Sequence, residues 1–264
     1  MTARWLALCL AVVLLSCGSK PAKSGAQSAS AQSLAQYDIA KDLWLERGQP
    51  RQALEHALEA LSLDEENADA AHLIALLYLD FCNRDPKECR LDEAERHARL
   101  AVALRDDFRE AQNTLGVTLI HLERYDEAIA VLKPLTEDIL YSTPENAWGN
   151  LGWAYLEKGN LGAAIEALMR STAVQPKFCV GHYRLGLAYE REGDAEAAME
   201  AFTRALEVDH PLCRQMQIAF LHRAKTAVQL GRQDDASRDL HECVQLDKST
   251  PTGRECSALL AKLH

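Results

Sequence analysis

The sequence lacks the short motifs that carry catalysis or metal binding. It has no His-Glu-x-x-His helix, no Gly-x-Ser-x-Gly turn, no glycine-rich phosphate loop and no Cys-x-x-Cys pair. Its nine histidines are scattered, with no pair at metal-ligand spacing. His241-Glu242-Cys243 could be imagined as a nucleophile with its base, but adjacent helical residues point in different directions. We therefore expect no enzymatic activity, no cofactor and no metal.

Positive charge is also scarce. The chain has 29 Lys and Arg against 39 Asp and Glu, a formal net charge of −10. Removing Arg4 with an N-terminal signal would change this from −10 to −11. So acidic a chain is poorly suited to nucleic acid or to anionic headgroups. We expect a protein partner, with no nucleic acid and no small-molecule substrate.

The apolar run Trp5–Leu15 is too short to cross a membrane permanently. It follows a short segment with one positive charge and ends at Leu14-Leu15-Ser16-Cys17-Gly18, which resembles the lipobox of bacterial lipoproteins. The resemblance implies a signal peptide over residues 1–16 and lipidation of Cys17. An ordinary secretory signal, in which Cys17 is incidental, is the alternative.

Residues 17–33 are rich in Ser, Ala, Gly, Lys and Gln and show no apolar periodicity. This composition predicts a flexible tether between the lipid and the folded domain.

A pattern that occurs twice between residues 145 and 212 predicts the fold. Leu151-Gly152, Tyr155, Gly159 and Ala164 return 34 residues later as Leu185-Gly186, Tyr189, Gly193 and Ala198. The period and the residue types resemble the tetratricopeptide repeat (TPR), a helix–turn–helix unit that stacks into a solenoid. Gly152 and Ala164 are small where the two helices of a unit cross, and Gly159 is typical of a helix C-terminus.

The same register extends over residues 34–264. It predicts an all-α solenoid of six units, at about 34–67, 68–108, 109–144, 145–178, 179–216 and 217–250, with a C-terminal capping helix over 251–264. An ordinary helical bundle would not explain the recurring register.

The cysteines indicate an oxidising compartment. Setting aside Cys9 in the signal and Cys17 at the lipid site, six of the eight cysteines remain, an even number. Their places in the repeats favour the pairs Cys82–Cys89, Cys179–Cys213 and Cys243–Cys256. The first pair brackets the extra residues of the second unit, and free buried thiols are the alternative.

In a TPR solenoid the first helix of each unit lines a concave groove. The repeat register places the following residues there: Leu76, Leu79, Asn113, Val117, Ile120, Asn146, Trp153, Leu156, Tyr183 and Leu187. Trp153 is the candidate anchor for a partner, or alternatively it packs against the adjacent unit. The apolar middle of this groove suits an amphipathic helix or an extended apolar segment. No unit carries the Lys–Asn pair of the TPR carboxylate clamp, so we do not expect capture of a C-terminal carboxylate.

The combination of lipobox, tether and six repeats is similar to the PilF/PilW/Tgl family of type IV pilus pilotins. The similarity is most specific at Arg124–Ala128, Leu135–Tyr141 and Asn150–Gly152, and the cysteine content is closer to the Tgl branch. The resemblance implies an outer-membrane lipoprotein of a Gram-negative bacterium that faces the periplasm. It would bind protomers of a PilQ-like secretin and promote their assembly. A generic periplasmic TPR scaffold and a folding factor for outer-membrane proteins are the alternatives.

Overall fold

The computed structural model describes residues 22–263, with side chains from residue 28. The predicted signal peptide and Cys17 lie outside the described residues. Between residues 22 and 263 the chain forms fourteen helices and no strand. They are α1 Ala22–Leu45, α2 Pro50–Leu63, α3 Ala68–Arg84, α4 Leu91–Leu104, α5 Arg109–His121, α6 Tyr125–Glu137, α7 Pro144–Lys158, α8 Leu161–Val174, α9 Cys179–Glu192, α10 Ala195–Glu207, α11 Pro211–Arg214, α12 Gln217–Gln229, α13 Gln233–Leu246 and α14 Pro251–Leu263. None of these helices has both the length and the apolar character needed to cross a bilayer.

The helices are arranged as six consecutive hairpins followed by a cap. The pairs α1–α2, α3–α4, α5–α6, α7–α8, α9–α10 and α12–α13 form units one to six, and α14 packs against α13 and α12. The one-turn helix α11 fills the insertion between units five and six. The prediction of an all-α TPR solenoid is confirmed.

The two helices of each unit form two different layers. The first helices pack side by side, α3 against α5, α5 against α7 and α7 against α9. Among the described residues, no comparable contact joins the second helices of neighbouring units. The layer of first helices is therefore the more closely spaced one, and it forms the inner, concave face of the solenoid.

Glycines permit the tight crossing of the two helices within a unit. A Cβ atom added at Gly152 would lie 2.5 Å from Cγ of Leu168 and 3.2 Å from the backbone oxygen of Ala164. Gly186 meets the ring of Phe202 in the same way in the next unit. Gly159 ends α7 with a φ of 85°, a left-handed conformation that favours glycine. The role predicted for these small residues is confirmed.

The N-terminal boundary of the solenoid differs from the prediction. Helix α1 begins at Ala22, inside the segment 17–33 that was expected to be a flexible tether. Ser33 is fully buried, donating a hydrogen bond to the Ala60 carbonyl oxygen at 2.7 Å and accepting one from Nδ2 of Asn67 at 2.8 Å. This contact is polar, so a search for apolar periodicity could not find it.

Some of the extra residues of the second unit lengthen its first helix, α3. The extra residues lie between Cys82 and Cys89, and α3 continues through Arg84, so the connecting segment starts at Asp85. The structure joins Cys82 to Cys89 across this connection, with a Cα–Cα distance of 4.1 Å.

Two further disulfides tie the C-terminal units together. The Cys179–Cys213 bond links α9 to α11, with Cα atoms 5.8 Å apart. The Cys243–Cys256 bond links α13 to the cap α14, with Cα atoms 6.2 Å apart. All three pairings are those that the repeat register favours.

Candidate functional site

The predicted groove residues separate into two groups according to their position in the repeat unit. Leu79, Ile120 and Leu156 are 8%, 3% and 1% exposed, so their assignment to an accessible groove is wrong. All three are the twelfth residue of their unit, and Leu156 packs among Ala164, Leu168 and other core residues. Three residues turn the helix by about 300°, so the twelfth place is offset by only about 60° from the ninth. This offset is enough to bury Leu156 against the second helix of its unit, while Trp153 at the ninth place stays partly exposed.

Seven predicted residues are partly exposed on the first helices. They occupy the second, fifth and ninth places of their units: Leu76, Asn113, Val117, Asn146, Trp153, Tyr183 and Leu187. The accessible inner face is thus a mixed surface, in which apolar side chains at ninth places alternate with polar ones at second and fifth places. We call it the inner groove.

Trp153 lies at the middle of the inner groove and contacts the units on both sides. Its ring meets His121 of α5 edge to face, with centroids 5.1 Å apart. The guanidinium carbon of Arg184, on α9, lies 4.5 Å from its centroid. The side chain also packs partly against the core that contains Leu151 and Leu119. Trp153 therefore combines packing with partial exposure, and the two alternatives weighed for it are not exclusive.

A line of polar side chains joins the same three units beside Trp153. Nδ2 of Asn150 donates to Oδ1 of Asn113 at 3.0 Å. Nη1 of Arg184 donates to Oδ1 of Asn150 at 2.8 Å and to the Gly149 carbonyl oxygen at 3.1 Å. Sequence reasoning missed Asn150 and Arg184, although both directly precede the Leu-Gly signature of their units, a place that can be checked for polar residues.

Arg184 carries the positive charge at the centre of the inner groove. Burial lowers the pKa of Arg184 to about 10, so the guanidinium stays charged at neutral pH. Burial also lowers the pKa of His121, and the charge of Arg184 lowers it further. Burial raises the pKa of Tyr183 to about 12. The histidine and the tyrosine are therefore neutral, and the local field comes from Arg184.

Farther along, the inner groove is bordered by side chains that pair with one another. Nδ1 of His222 lies 2.7 Å from Oε2 of Glu190. Nη2 of Arg191 lies 3.0 Å from Oε1 of Glu157, and its Nη1 donates to the Leu156 carbonyl oxygen. These side chains already face an oppositely charged or ionisable partner, whereas Arg184 has no carboxylate partner among the described residues.

The outer face has clefts between the second helices of neighbouring units. One has a volume of about 750 Å³ and separates α8 from α10, with residues of α9 as its floor. A smaller cleft of about 230 Å³ lies between α6 and α8. His182 faces the larger cleft, and its Nδ1 has no hydrogen-bond partner among the described residues. Residues 28–263 contain no group of three or more His, Cys, Asp or Glu arranged to hold a metal ion.

Comparison with known proteins supports the repeat assignment directly. Residues 145–178 and 179–210 each match the sequence model of the tetratricopeptide repeat. These are the two units in which the doubled pattern was found. A search of curated protein sequences finds no match.

Solved structures with the same fold include two pilus proteins. The crystal structure of PilW, described as a widely conserved type IV pilus biogenesis factor, superposes with a TM-score of 0.71 and 24% identity, covering 84% of this chain and 97% of PilW. Pseudomonas aeruginosa PilF gives a TM-score of 0.65 and 21% identity, covering 89% of this chain and 99% of PilF. A TPR protein from Parabacteroides merdae gives 0.69 at 15% identity, covering 87% and 84%.

These solved structures share the solenoid fold that the sequence predicts. The match to PilW and PilF extends over nearly the whole length of both proteins. A closer relation to the Tgl branch stays a prediction. The chain is a tetratricopeptide-repeat solenoid with the fold of the type IV pilus biogenesis proteins PilW and PilF.

Proposed function

We propose that this protein is a non-enzymatic scaffold of type IV pilus biogenesis that binds secretin protomers and promotes their assembly in the outer membrane. The observation that supports this most is the end-to-end similarity of fold to PilW and PilF. TPR solenoids bind other proteins along extended concave surfaces, and the inner groove is such a surface.

The proposed location is the periplasmic face of the outer membrane. The lipobox at Leu14–Gly18 supports lipidation of Cys17, and a triacylated cysteine would supply enough buried hydrocarbon for stable anchoring. Three disulfides support an exported protein, because such bonds persist in oxidising compartments.

The inner groove has the features of a site for a protein segment. Leu76, Val117, Trp153 and Leu187 hold the ninth place in four successive units, so their side chains form an apolar row across neighbouring first helices. Packed helices are about 8–10 Å apart, so the row spans roughly 25–30 Å. An amphipathic helix or an extended apolar segment of a secretin could lie along it.

Deleting the gene and measuring heat-stable secretin multimers in the outer membrane tests the proposal. We expect the multimers and twitching motility to be lost, and the wild-type gene to restore both. Unchanged multimers with normal twitching would refute the pilotin function. Co-purification with other envelope complexes but without a secretin would instead favour a generic periplasmic scaffold.

A matched pair of tryptophan variants tests the groove itself. Trp153 and Trp148 lie on the same helix, and both are partly buried. Trp148 contributes to the outer-face cleft between α6 and α8 and contacts Arg170, with 5.2 Å between guanidinium carbon and ring centroid. We expect Trp153→Ala to reduce secretin multimers and Trp148→Ala to leave them intact at similar protein levels. Equal effects of the two variants would mean that Trp153 acts through packing alone.

A further inference from the structure

We infer that the inner groove contains a specific acceptor site for an acidic side chain of the bound segment, formed by Arg184, Trp153 and the Asn113–Asn150 pair. The inference rests on the proposed function insofar as its ligand is a protein segment. It adds the chemistry that the segment must carry and the place at which that chemistry is recognised.

Arg184 has an incomplete set of partners. Its two hydrogen bonds to protein come from Nη1 alone, and both go to neutral oxygens. Among the ion pairs of the described residues, none includes Arg184. Glu157 is the carboxylate that interacts electrostatically with Arg184, but Glu157 is already paired with Arg191. Nη2 and Nε of Arg184 therefore have no partner within residues 28–263.

The position of Arg184 makes this incomplete pairing unusual. Arg90 and Arg254 also have no carboxylate partner among the described residues, but both are exposed and bond to backbone oxygens, so water can solvate them. Arg184 is partly buried and lies over Trp153, and burial already disfavours its charge. A partly desolvated guanidinium gains more from a carboxylate than an exposed one, because water competes less for it.

The surroundings of Arg184 provide further features of a carboxylate site. Asn113 accepts a hydrogen bond through Oδ1, while its amide nitrogen has no protein acceptor within the described chain. This amide is a second available donor, on a residue that is linked to the guanidinium through Asn150. Trp153 and Leu187 supply apolar surface on the same face. The site therefore fits an Asp or Glu that is followed or preceded by an apolar residue.

The site favours a side-chain carboxylate over the end of a chain. It lies in the middle of the inner groove, and partly exposed groove residues continue on both sides, from Leu76 to Leu187. A segment that follows the apolar row would pass across Arg184. The protein as a whole carries a net charge of −10, so acidic segments are attracted here by one local cation and not by the general surface.

Selection from a random-peptide display library on the full-length chain tests the inference without knowledge of the partner. We expect peptides bound by the wild type to be enriched in Asp or Glu next to an apolar residue. Arg184→Gln should abolish this enrichment, and the matched control Arg90→Gln should retain it. No acidic enrichment with the wild type, or undiminished enrichment with Arg184→Gln, would overturn the inference.

Binding of purified secretin provides the second measurement. Arg184→Gln should weaken it roughly 30-fold and reduce its dependence on salt, because removing one member of a desolvated charge pair is costly. If the wild type selects acidic peptides but does not bind secretin, the proposed function fails and the acceptor site stands. If secretin binds equally well to the wild type and to Arg184→Gln, the acceptor site fails and the proposed function stands.

The variant Arg184→Lys controls for a folding defect in Arg184→Gln and allows the bound group to be identified. It keeps the charge and should keep acidic selection at lower affinity. Carbodiimide can then couple the lysine amine to a carboxylate in direct contact, and mass spectrometry identifies the coupled residue. Coupling to an Asp or Glu side chain supports the inference. Coupling to a C-terminal carboxylate, or coupling equal to that of Arg90→Lys, would refute it.

Discussion

The close crossing of helices α7 and α8 can be tested by adding a single methyl group. In Gly152→Ala the new Cβ would lie 2.5 Å from Cγ of Leu168, 3.0 Å from its Cδ2 and 3.2 Å from the carbonyl oxygen of Ala164. Leu168 is fully buried and cannot turn aside, and the carbonyl belongs to the backbone. Such overpacking lowers the free energy of unfolding by about 1–3 kcal/mol. The better helix propensity of alanine offsets at most about 1 kcal/mol of this loss.

The neighbouring helix contains a matched control. Gly162 lies in α8, is exposed, and a Cβ added there meets nothing within 4 Å. Gly162→Ala should stabilise the protein by about 0.5–1 kcal/mol, because it lowers the conformational entropy of the unfolded chain. The two alanine variants should therefore differ by about 2 kcal/mol in free energy of unfolding, or by about 4–8 °C in Tm.

Thermal and denaturant unfolding followed by far-UV circular dichroism measures this difference. If Gly152→Ala is as stable as Gly162→Ala, the helices of the unit can separate without cost, and the explanation of the Leu-Gly signature is wrong. The double variant Gly152→Ala with Leu168→Val separates the causes further. If the clash is with Leu168, the double variant should lose less stability than the sum of the two single changes.

The remaining predictions concern the disulfides, pH and an exposed turn. Alkylation under non-reducing conditions should find no free thiol among the six cysteines of the solenoid. Replacing Cys179 and Cys213 by serine should lower the free energy of unfolding by about 4 kcal/mol. Loss of either of the other two bridges should lower it less, because the Cys179–Cys213 bond closes the longest loop, with a sequence separation of 34. Burial lowers the pKa of His72 to about 4, below the ordinary 6.5, so its neutral form stabilises the fold above pH 6.5. This contribution of about 3 kcal/mol should disappear as the pH falls from 6.5 to 4, and denaturation midpoints of His72→Gln should show a flatter pH dependence. Ile139 and Leu140 are 96% and 71% exposed, so changing both to serine should alter the free energy of unfolding by no more than about 0.5 kcal/mol in urea titrations.

The helix pairs were predictable from sequence because the residues that pack the two helices together occupy the same places in successive repeats. Leu151, Gly152 and Gly159 recur in the next unit, and each has a steric role that few residues can fill. Helices α8 to α10 accordingly begin and end within the two predicted units, and α7 begins at Pro144, one residue before the first of them. Periodicity could not locate the start of α1, because its buried contact is made by the hydroxyl of Ser33.

The inner groove was less predictable because accessibility depends on neighbouring units as well as on a residue's own helix. Leu156 and Trp153 belong to one predicted groove list, yet the first is buried beneath the second helix layer. Arg184 was overlooked because a charged residue in a helix is usually a solvated one. What distinguishes Arg184 is that it is partly buried and yet has no carboxylate partner among the described residues, and only the folded arrangement shows that.

The unequal spacing of the two helix layers has a mechanical consequence. The first helices already touch, whereas clefts of about 750 and 230 Å³ lie between second helices of units three to five. Bending that flattens the solenoid would move second helices into open space. Bending that tightens the solenoid would compress the layer of first helices, which is already closely packed and has little free volume. The solenoid is thus softer toward opening than toward closing, and a bulky segment can widen the inner groove through small rotations shared among several units.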